Sequence, residues 1–251
     1  MVSLDQIKEL RDMTGVSMMS CKSALEEAQG NIEKAVEILR KKGEAKAASR
    51  SDRSTGEGGF FVKNAPGKVS LVSLRCETDF VSRSDDFMKY GQELAEGEFA
   101  GNFDTVSARL TDMGSKMGEK IEIPEHMSLE STVTGSYVHS NRKIATVVGL
   151  SGGTEEMARD VAMHVAGIAP KYIRPEEVDA ALLASERDIW AEQLQKEGKP
   201  ADIVEKIMIG KEKKFREEHA LLTQPFVKDS EKTVGQYLGD VQVVKFYRGV
   251  I

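Results

Sequence analysis

Aromatic residues are scarce in this chain. Phe, Tyr and Trp make up 6% of its 251 residues, with a single Trp. An interface built from this composition has few aromatic anchors to draw on, so a Phe at an exposed corner carries weight. Cysteine is nearly absent as well: Cys21 and Cys76 stand far apart with no CxxC. That spacing excludes a disulfide scaffold and reads as a reducing compartment. No run approaches 18 apolar residues, and MVSLDQIKEL carries acid within its first five positions without an apolar stretch. It reads as neither a signal peptide nor a transit peptide, and the expectation is a cytoplasmic protein with no membrane partner.

Positive charge is not in excess either. Lys plus Arg is 35 against 41 Asp plus Glu, a net charge of -6, which argues against a whole-chain electrostatic grip on nucleic acid. The four histidines, His126, His139, His164 and His219, show no HExxH or HxxxH spacing and no Cys at zinc-finger distance. A GxSxG elbow, a dinucleotide fingerprint and the GxxxxGK[ST] phosphate loop are all missing. Carboxylates are too numerous for any one pair to stand out. The enzyme reading therefore has no motif, and no catalytic residue, metal ligand or cofactor is expected.

The residues that are present read as an α+β chain. Residues 1–42 form a three-helix unit: Leu4, Ile7 and Leu10 share one face, Ser17 caps a second helix with Cys21, Leu25 and Ala28 inside, and Gly30-Asn31 separates a third carrying Ile32, Ala35, Val36 and Leu39. Gly43 is expected to stop that helix. Residues 43–58 read as a basic, Gly-rich linker. The basic run from Arg40 to Arg53 admits two readings, a nucleic-acid patch or a solvated helix end entering the linker, and charge runs usually favour the second.

From residue 60 the period changes. Phe60–Val62 and Val69–Leu74 read as strands around a turn with Pro66 and Gly67, and helical spacing resumes through Phe87, Tyr90 and Leu94. Ser136–Val138 and Ile144–Leu150 form a second strand pair around Ser140–Arg142. That pair leads through Gly152-Gly153-Thr154 into a helix with Met157, Val161, His164 and Val165. This repeated hairpin-then-helix layout predicts two related lobes, residues 59–139 and 140–251, each an antiparallel sheet covered by helices. His164 lies on an apolar stripe and is expected in the core.

Pro175-Glu176-Glu177 reads as a helix start. Val178, Leu182, Ile189 and Leu194 supply its stripe, Gly198-Lys199-Pro200 a break, and Ile203, Ile207 and Met208 a second helix. Residues 175–219 are thus expected to be a helical hairpin inserted in the second lobe, and a homodimer through it is one use for such a hairpin. A short helix near Val234–Leu238 and a last strand over Val241–Tyr247 close the chain.

Three local features have no place in this bland reading. Met18 and Met19 start a helix whose inner face is already filled, so at least one is expected at a contact surface. Phe80, flanked by Asp79 at a strand end, is either a wedge for a partner's pocket or the first residue of the next helix's core stripe. His139 sits beside a polar turn, where spacing alone assigns it no role.

Together these stretches resemble the elongation factor Ts family, the guanine-nucleotide exchange factors of elongation factor Tu. The resemblance rests on IKELRDMTGVSMMSCKSAL near the N-terminus, RCETDFV at 75–81, GSYVH at 135–139, MHVAGIAPKYI at 163–173 and LLTQPFVKDSEKTVGQYL at 221–238. It implies a ubiquitin-associated-type domain, a core of two subdomains and an inserted hairpin. It also implies binding to elongation factor Tu in its GDP-bound and nucleotide-free states, without direct nucleotide binding by this chain. Thr78, Asp79, Phe80 and Val81 match the segment implicated in dislodging the partner's magnesium, with Phe80 inserting between helices of the GTPase domain. His139 matches the residue that perturbs the phosphate loop, and Arg11, Met18 and Met19 match the segment that docks on the GTPase domain. The Met117-Gly118 corner is a further contact of this kind. The chain departs from the family's DCKKAL run at Ser20 and Ser23, which puts charged contacts at that edge in doubt. It also stops soon after YLGDVQVVKFYRGVI, so contacts made by the extra terminal helix of longer members are expected to be absent or replaced.

Overall fold

A computed structural model of the chain describes residues 2–197 and 200–251, leaving aside the side chains of 44–48, 201 and 202. Three helices come first: α1 (Leu4–Thr14), α2 (Met18–Glu27) and α3 (Ile32–Ala48). Ser3 and Gln6 form a reciprocal capping box at the start of α1, and Gly15, at φ +65°, ends it. Ser17 caps α2, and Asn31 Oδ1 accepts the Lys34 amide at the start of α3. Ile7, Leu10, Cys21, Leu25, Ala35 and Leu39 close a small core, while Leu4, expected inside, is exposed. Gly43 does not stop the third helix. It is buried within α3, where an added Cβ would stand 2.7 Å from Ser115 Oγ, so its missing side chain admits a close neighbour.

The first lobe runs β1 (Glu57–Ala65), β2 (Lys68–Cys76), α4 (Asp79–Ser82), α5 (Asp85–Ala100), α6 (Phe103–Ser107), α7 (Leu110–Met117) and β3 (Glu122–Glu130). Its antiparallel sheet has the order β1-β2-β3, with Pro66-Gly67 as the hairpin turn. Glu57 and Gly58, expected in the linker, already lie inside β1. Strand β2 is buried on both faces from Val69 to Leu74, with Ser70 and Ser73 included. Val72 and Leu74 meet Phe87, Tyr90 and Leu94 of α5, while Val69 and Leu71 face Ala145 and Val147 of the second sheet. Sequence patterning gives no sign of β3, because Pro124 interrupts its alternation. The strand lies at the sheet edge, and its register shifts beside that proline, where a missing N–H is tolerated.

The second lobe comprises β4 (Val133–Val138), β5 (Ile144–Leu150), α8 (Glu155–Ile168), α9 (Ala180–Lys196), α10 (Ala201–His219), β6 (Pro225–Phe226), β7 (Asp229–Thr233), α11 (Val234–Leu238) and β8 (Val243–Val250). Its main sheet has the order β4-β5-β8, again with the hairpin's second strand in the middle. The β4–β5 hairpin straddles the division expected at 139/140, because β4 pairs with β5 and not with the first sheet. The core of this lobe gathers Val148, Leu150, Val161, Val165, Phe226 and Leu238. The molecule is therefore α+β, with helices ahead of and around two packed antiparallel sheets.

Between α8 and β6 the chain forms the helical hairpin. Pro175–Glu177 is a single 3-10 turn, not the start of α9. That helix begins at Ala180, where Asp179 accepts the amides of Ala181 and Leu182. Val178 and Leu194 of the expected stripe are buried, but between them the stripe is displaced by one position: Leu183 and Trp190 are buried and Ile189 is exposed. Trp190 and Phe215 meet edge to face at 5.7 Å and join the two helices. The expected break at Gly198-Lys199 lies outside the described residues, and Pro200 precedes α10. Ile189, Ile203 and Ile209 are exposed, the side chains a contact through this hairpin would use.

Candidate functional site: two exposed corners on a braced frame

Strand β2 ends at Cys76, and the chain makes one extra turn of helix before α5. Thr78 caps that turn by accepting the Val81 amide at 3.4 Å, and Ser84 caps α5 separately. Successive residues on a helix point about 100° apart. Val81 packs against the first-lobe core, so Phe80 is turned outward and is 84% exposed. Asp79 pairs with Arg83 at 3.1 Å beside it. The core-stripe alternative for Phe80 is thus overturned: the stripe begins with Val81 and continues at Phe87.

A four-residue helix has almost no stability of its own, and this one is braced from below. Glu119 Oε2 accepts the amides of Glu77 and Thr78, each at 3.0 Å, and Oε1 accepts the Thr78 hydroxyl at 2.5 Å. The Glu77 carboxylate in turn accepts the Lys120 amide at 2.7 Å and the Arg53 guanidinium at 3.2 Å. The Lys120 amide is the main reason the Glu77 carboxyl titrates below its ordinary value.

Opposite α4 stands the turn after β4. Asp79, Ser82 and Arg83 face Ser140, Asn141 and Lys143 across a cleft of about 430 Å³. His139 is exposed at the turn's start, with Nδ1 3.0 Å from the Tyr137 hydroxyl. Arg142 occupies the left-handed region at φ +57° and ties the turn to β1. Its Nη1 donates to the Phe60 carbonyl at 3.1 Å, the Phe60 amide donates back to the Arg142 carbonyl at 2.9 Å, and its guanidinium lies 4.9 Å from the Phe61 ring centre. The structure therefore brings Asp79, Ser82 and Arg83 to one cleft with residues 140–143, and neither Phe80 nor His139 is among its lining residues.

The other sequence candidates gather elsewhere. Met19 is 75% exposed, whereas Met18 packs against the small helical core; Arg11 is exposed on α1. Met19, Ser20, Lys42, Lys116 and Gly118 line a cleft of about 520 Å³ between the three-helix unit and α7. Gly118 is exposed at φ +80° and ends α7, while Met117 turns into the first-lobe core. Of the two predicted pairs, then, one residue each is presented and one is packed.

Sequence reasoning passes over the residues that hold these corners: Glu77, Glu119, Arg53, Tyr137 and Arg142. Apart from Tyr137, which meets His139 two residues on, their partners are backbone groups or distant side chains, and among 41 carboxylates two with this role carry no local mark. The basic run also resolves into structure. Lys42 pairs with Glu27, Arg53 with Glu77, and Arg50 donates to the Gly114 carbonyl at 3.1 Å.

The titratable groups near these corners supply little chemistry. Burial pushes the Cys76 thiol up to about 12, with Glu119 adding to the effect, so it stays protonated at neutral pH. His164 is fully buried, as expected, between Gln224 and the Val227 amide. Among the described residues, no group of three or more His, Cys, Asp or Glu is placed to hold a metal ion. No described helix is long and apolar enough to cross a membrane.

What the molecule offers is contact surface: exposed Phe and Met side chains on braced corners of a two-lobed α+β frame. Comparison with known proteins says which family builds this frame. A family model described as Elongation factor TS matches residues 77–250. The curated elongation factor Ts of Idiomarina loihiensis is 40% identical over 258 residues, covering 96% of this chain and 88% of that protein. That of Marinobacter nauticus is 41% identical over 94% of this chain and 86% of its own length. The Aeromonas hydrophila relative is 39% identical over 98% and 89% respectively. The chain belongs to the elongation factor Ts family.

Proposed function

We propose that this chain binds elongation factor Tu in its GDP-bound form and promotes GDP release, so that GTP can bind. The observation that carries this reading is Phe80, an 84%-exposed aromatic on a short helix that the rest of the fold holds still. Thr78, Asp79, Phe80 and Val81 form the segment that displaces the partner's magnesium, with Phe80 entering between two of its helices and Val81 serving as the inward anchor. His139, exposed at the start of the neighbouring turn, reaches the phosphate-loop region. Arg11 and Met19 dock the three-helix unit on the GTPase domain, with Met18 supporting Met19 from the core side, and the Met117-Gly118 corner adds a contact.

Such exchange needs no group that makes or breaks a covalent bond. A phosphate held by aligned amides at a loop and helix N-terminus loses much of its grip when the loop or metal is displaced. A protein that prefers the displaced conformation shifts the partner toward it. The coupling is reciprocal: whatever factor this chain takes from GDP affinity, GDP takes from the affinity of this chain. The nucleotide-free complex is accordingly the tight one.

Stopped-flow release of labelled GDP from elongation factor Tu tests the reading. Phe80→Ala is expected to slow release by about 2 kcal/mol, roughly thirtyfold. His139→Ala is expected to impair release more than binding to the nucleotide-free partner. Wild-type release with Phe80→Ala would sink the wedge. A nucleic-acid role for the Arg40–Arg53 run has less support, since Lys42, Arg50 and Arg53 already engage this chain's own carboxylates and carbonyls.

A further inference from the structure

The exchange reading names what touches the partner; it leaves open what aims it. Phe80 contributes almost nothing to holding itself in place, because its ring is 84% exposed. The helix under it has only four residues, between a strand that ends at Cys76 and an α5 that carries its own Ser84 cap, and Val81 is its side chain in the core. Its orientation must therefore come from outside the segment.

Glu119 lies where that control is greatest. Its two oxygens receive three donors from two consecutive residues: the Glu77 and Thr78 amides at 3.0 Å and the Thr78 hydroxyl at 2.5 Å. A hydroxyl has one proton and two lone pairs. With the proton committed to Glu119, a lone pair of Thr78 is left facing the Val81 amide, which is the cap of the helix. The carboxylate thus sets the rotamer of the capping side chain as well as the backbone direction entering the turn. A reciprocal bond closes the clasp, since the Glu77 carboxylate takes the Lys120 amide at 2.7 Å. The Cys76 thiol adds a bond to the Thr78 carbonyl at 3.2 Å from the strand side. The same corner receives the chain leaving the three-helix unit: Lys120 Nζ donates to the carbonyls of Ser51 and Arg53, and Arg50 to that of Glu119.

We propose that Glu119 is a positioning residue for exchange: it pre-orders the Thr78–Ser82 turn so that Phe80 meets the partner already aimed. The physical gain is that ordering is completed during folding and is not charged against binding. This inference rests on the wedge reading of Phe80, and its failure is separable from the failure of that reading.

The test is a double-mutant cycle in the full chain, read as labelled-GDP release from elongation factor Tu at saturating concentration of the variant. Glu119→Ala is expected to slow release about tenfold, the scale of losing a charge-assisted hydrogen bond. Glu119→Gln keeps a carbonyl for both amides, and the Thr78 hydroxyl then has an amide donor to accept from, so it should restore release to within about threefold of wild type. In the Phe80→Ala background, Glu119→Ala should add less than about twofold, because there is no ring left to aim. Thr78→Val removes only the hydroxyl, should slow release about threefold, and carries the cycle if Glu119→Ala does not fold. Glu119→Ala at wild-type rate overturns the proposal. So does an equal slowing in both backgrounds, which marks general loss of structure or a separate contact. If Phe80→Ala alone releases GDP at the wild-type rate, the wedge and its positioning fall together.

Discussion

In the first lobe the middle strand β2 enters its covering helix through Glu77–Ser84, which includes the extra turn α4; in the second, β5 enters α8 through Ser151-Gly152-Gly153-Thr154. In both, an antiparallel hairpin is followed by a covering helix, and a later strand pairs with the hairpin's second strand. Each middle strand sends one hydroxyl to a carbonyl of its helix, Ser70 to Ala95 at 2.6 Å and Thr146 to Ala162 at 2.7 Å. Each connection contains a threonine that caps the helix after it, Thr78 accepting from Val81 and Thr154 from Met157. In the second lobe that cap starts the long helix directly. In the first it starts a single turn carrying Phe80, and Ser84 must begin the long helix anew. The second lobe makes this junction without such a turn, whereas α4 gives the first-lobe core only Val81 and turns Phe80 outward. An extra turn with one anchor and a dedicated clasp is where contact function is to be sought.

The lobes also differ in how helix meets sheet, and this gives the largest expected effect on stability. In the second lobe the close approach is made by Gly135 of β4, where an added Cβ would stand 2.4 Å from the backbone carbon of Ala158. In the first it is made by Gly91 of α5, facing the Phe61 ring at 2.3 Å. A ring can turn or shift more easily than a helix backbone. Gly135→Ala is expected to cost about 3 kcal/mol and Gly91→Ala about 1–2 kcal/mol in urea unfolding. A larger loss at Gly91 would show that the Phe61 site is the less forgiving one and reverse this part of the comparison.

A smaller difference lies in acid sensitivity, which the second lobe carries through His164. The Val227 amide donates to His164 Nδ1 at 3.3 Å, so Nε2 carries the ring proton toward Gln224 Oε1 at 2.9 Å. A second ring proton would face that amide, and burial already lowers the pKa below 6.5 despite the opposing bond to Gln224. Below the unfolded pKa of about 6.5, the unfolded chain binds the proton more readily than the folded one. The stabilising effect is thus complete above that pH and is lost as pH falls toward the folded pKa. The melting temperature should drop by a few degrees between pH 7.5 and 5.5, and less steeply in His164→Gln. Parallel slopes for the two proteins would remove His164 as the cause.

The smallest expected effect sharpens the contrast at the joint itself. Phe80→Ser should change unfolding free energy by less than about 0.5 kcal/mol, since the ring is already in solvent. Paired with slow exchange in the Phe80 variant, an unchanged stability would separate function from fold at this residue. A loss above about 1 kcal/mol would mean that the ring supports its own lobe.

Much of the architecture was legible from residue pattern. The three short helices, the two hairpins, the core histidine and α11 follow from period, caps and turn residues. The misses have physical causes. Gly43 looked like a stop because glycine is a poor helix former, yet α7 needs the space that its missing Cβ leaves. Pro124 hid an edge strand, and Pro175 announced a helix that begins five residues later at Ala180, because Asp179 is the better cap. At the contact corners, composition and motif drew attention to Phe80, Met19 and His139, but not to Glu119 or Arg142. Those two act through backbone groups of residues far along the chain, and such pairings leave no trace in local spacing.

By itself the sequence determined most of the helices and strands, though not β3, together with a helical unit ahead of two hairpin-then-helix segments and the family resemblance of its motifs. These depend on neighbours within a few positions, where propensity, capping and period act. Tertiary structure alone decided that Phe80 faces out while Val81 faces in, that Met19 is presented and Met18 packed, and that Asp79, Ser82 and Arg83 share a cleft with the 140–143 turn. Those outcomes rest on contacts across 40 or more residues: Glu119 with Thr78, and Arg142 with Phe60. Local propensity has no term for a partner that only folding brings near.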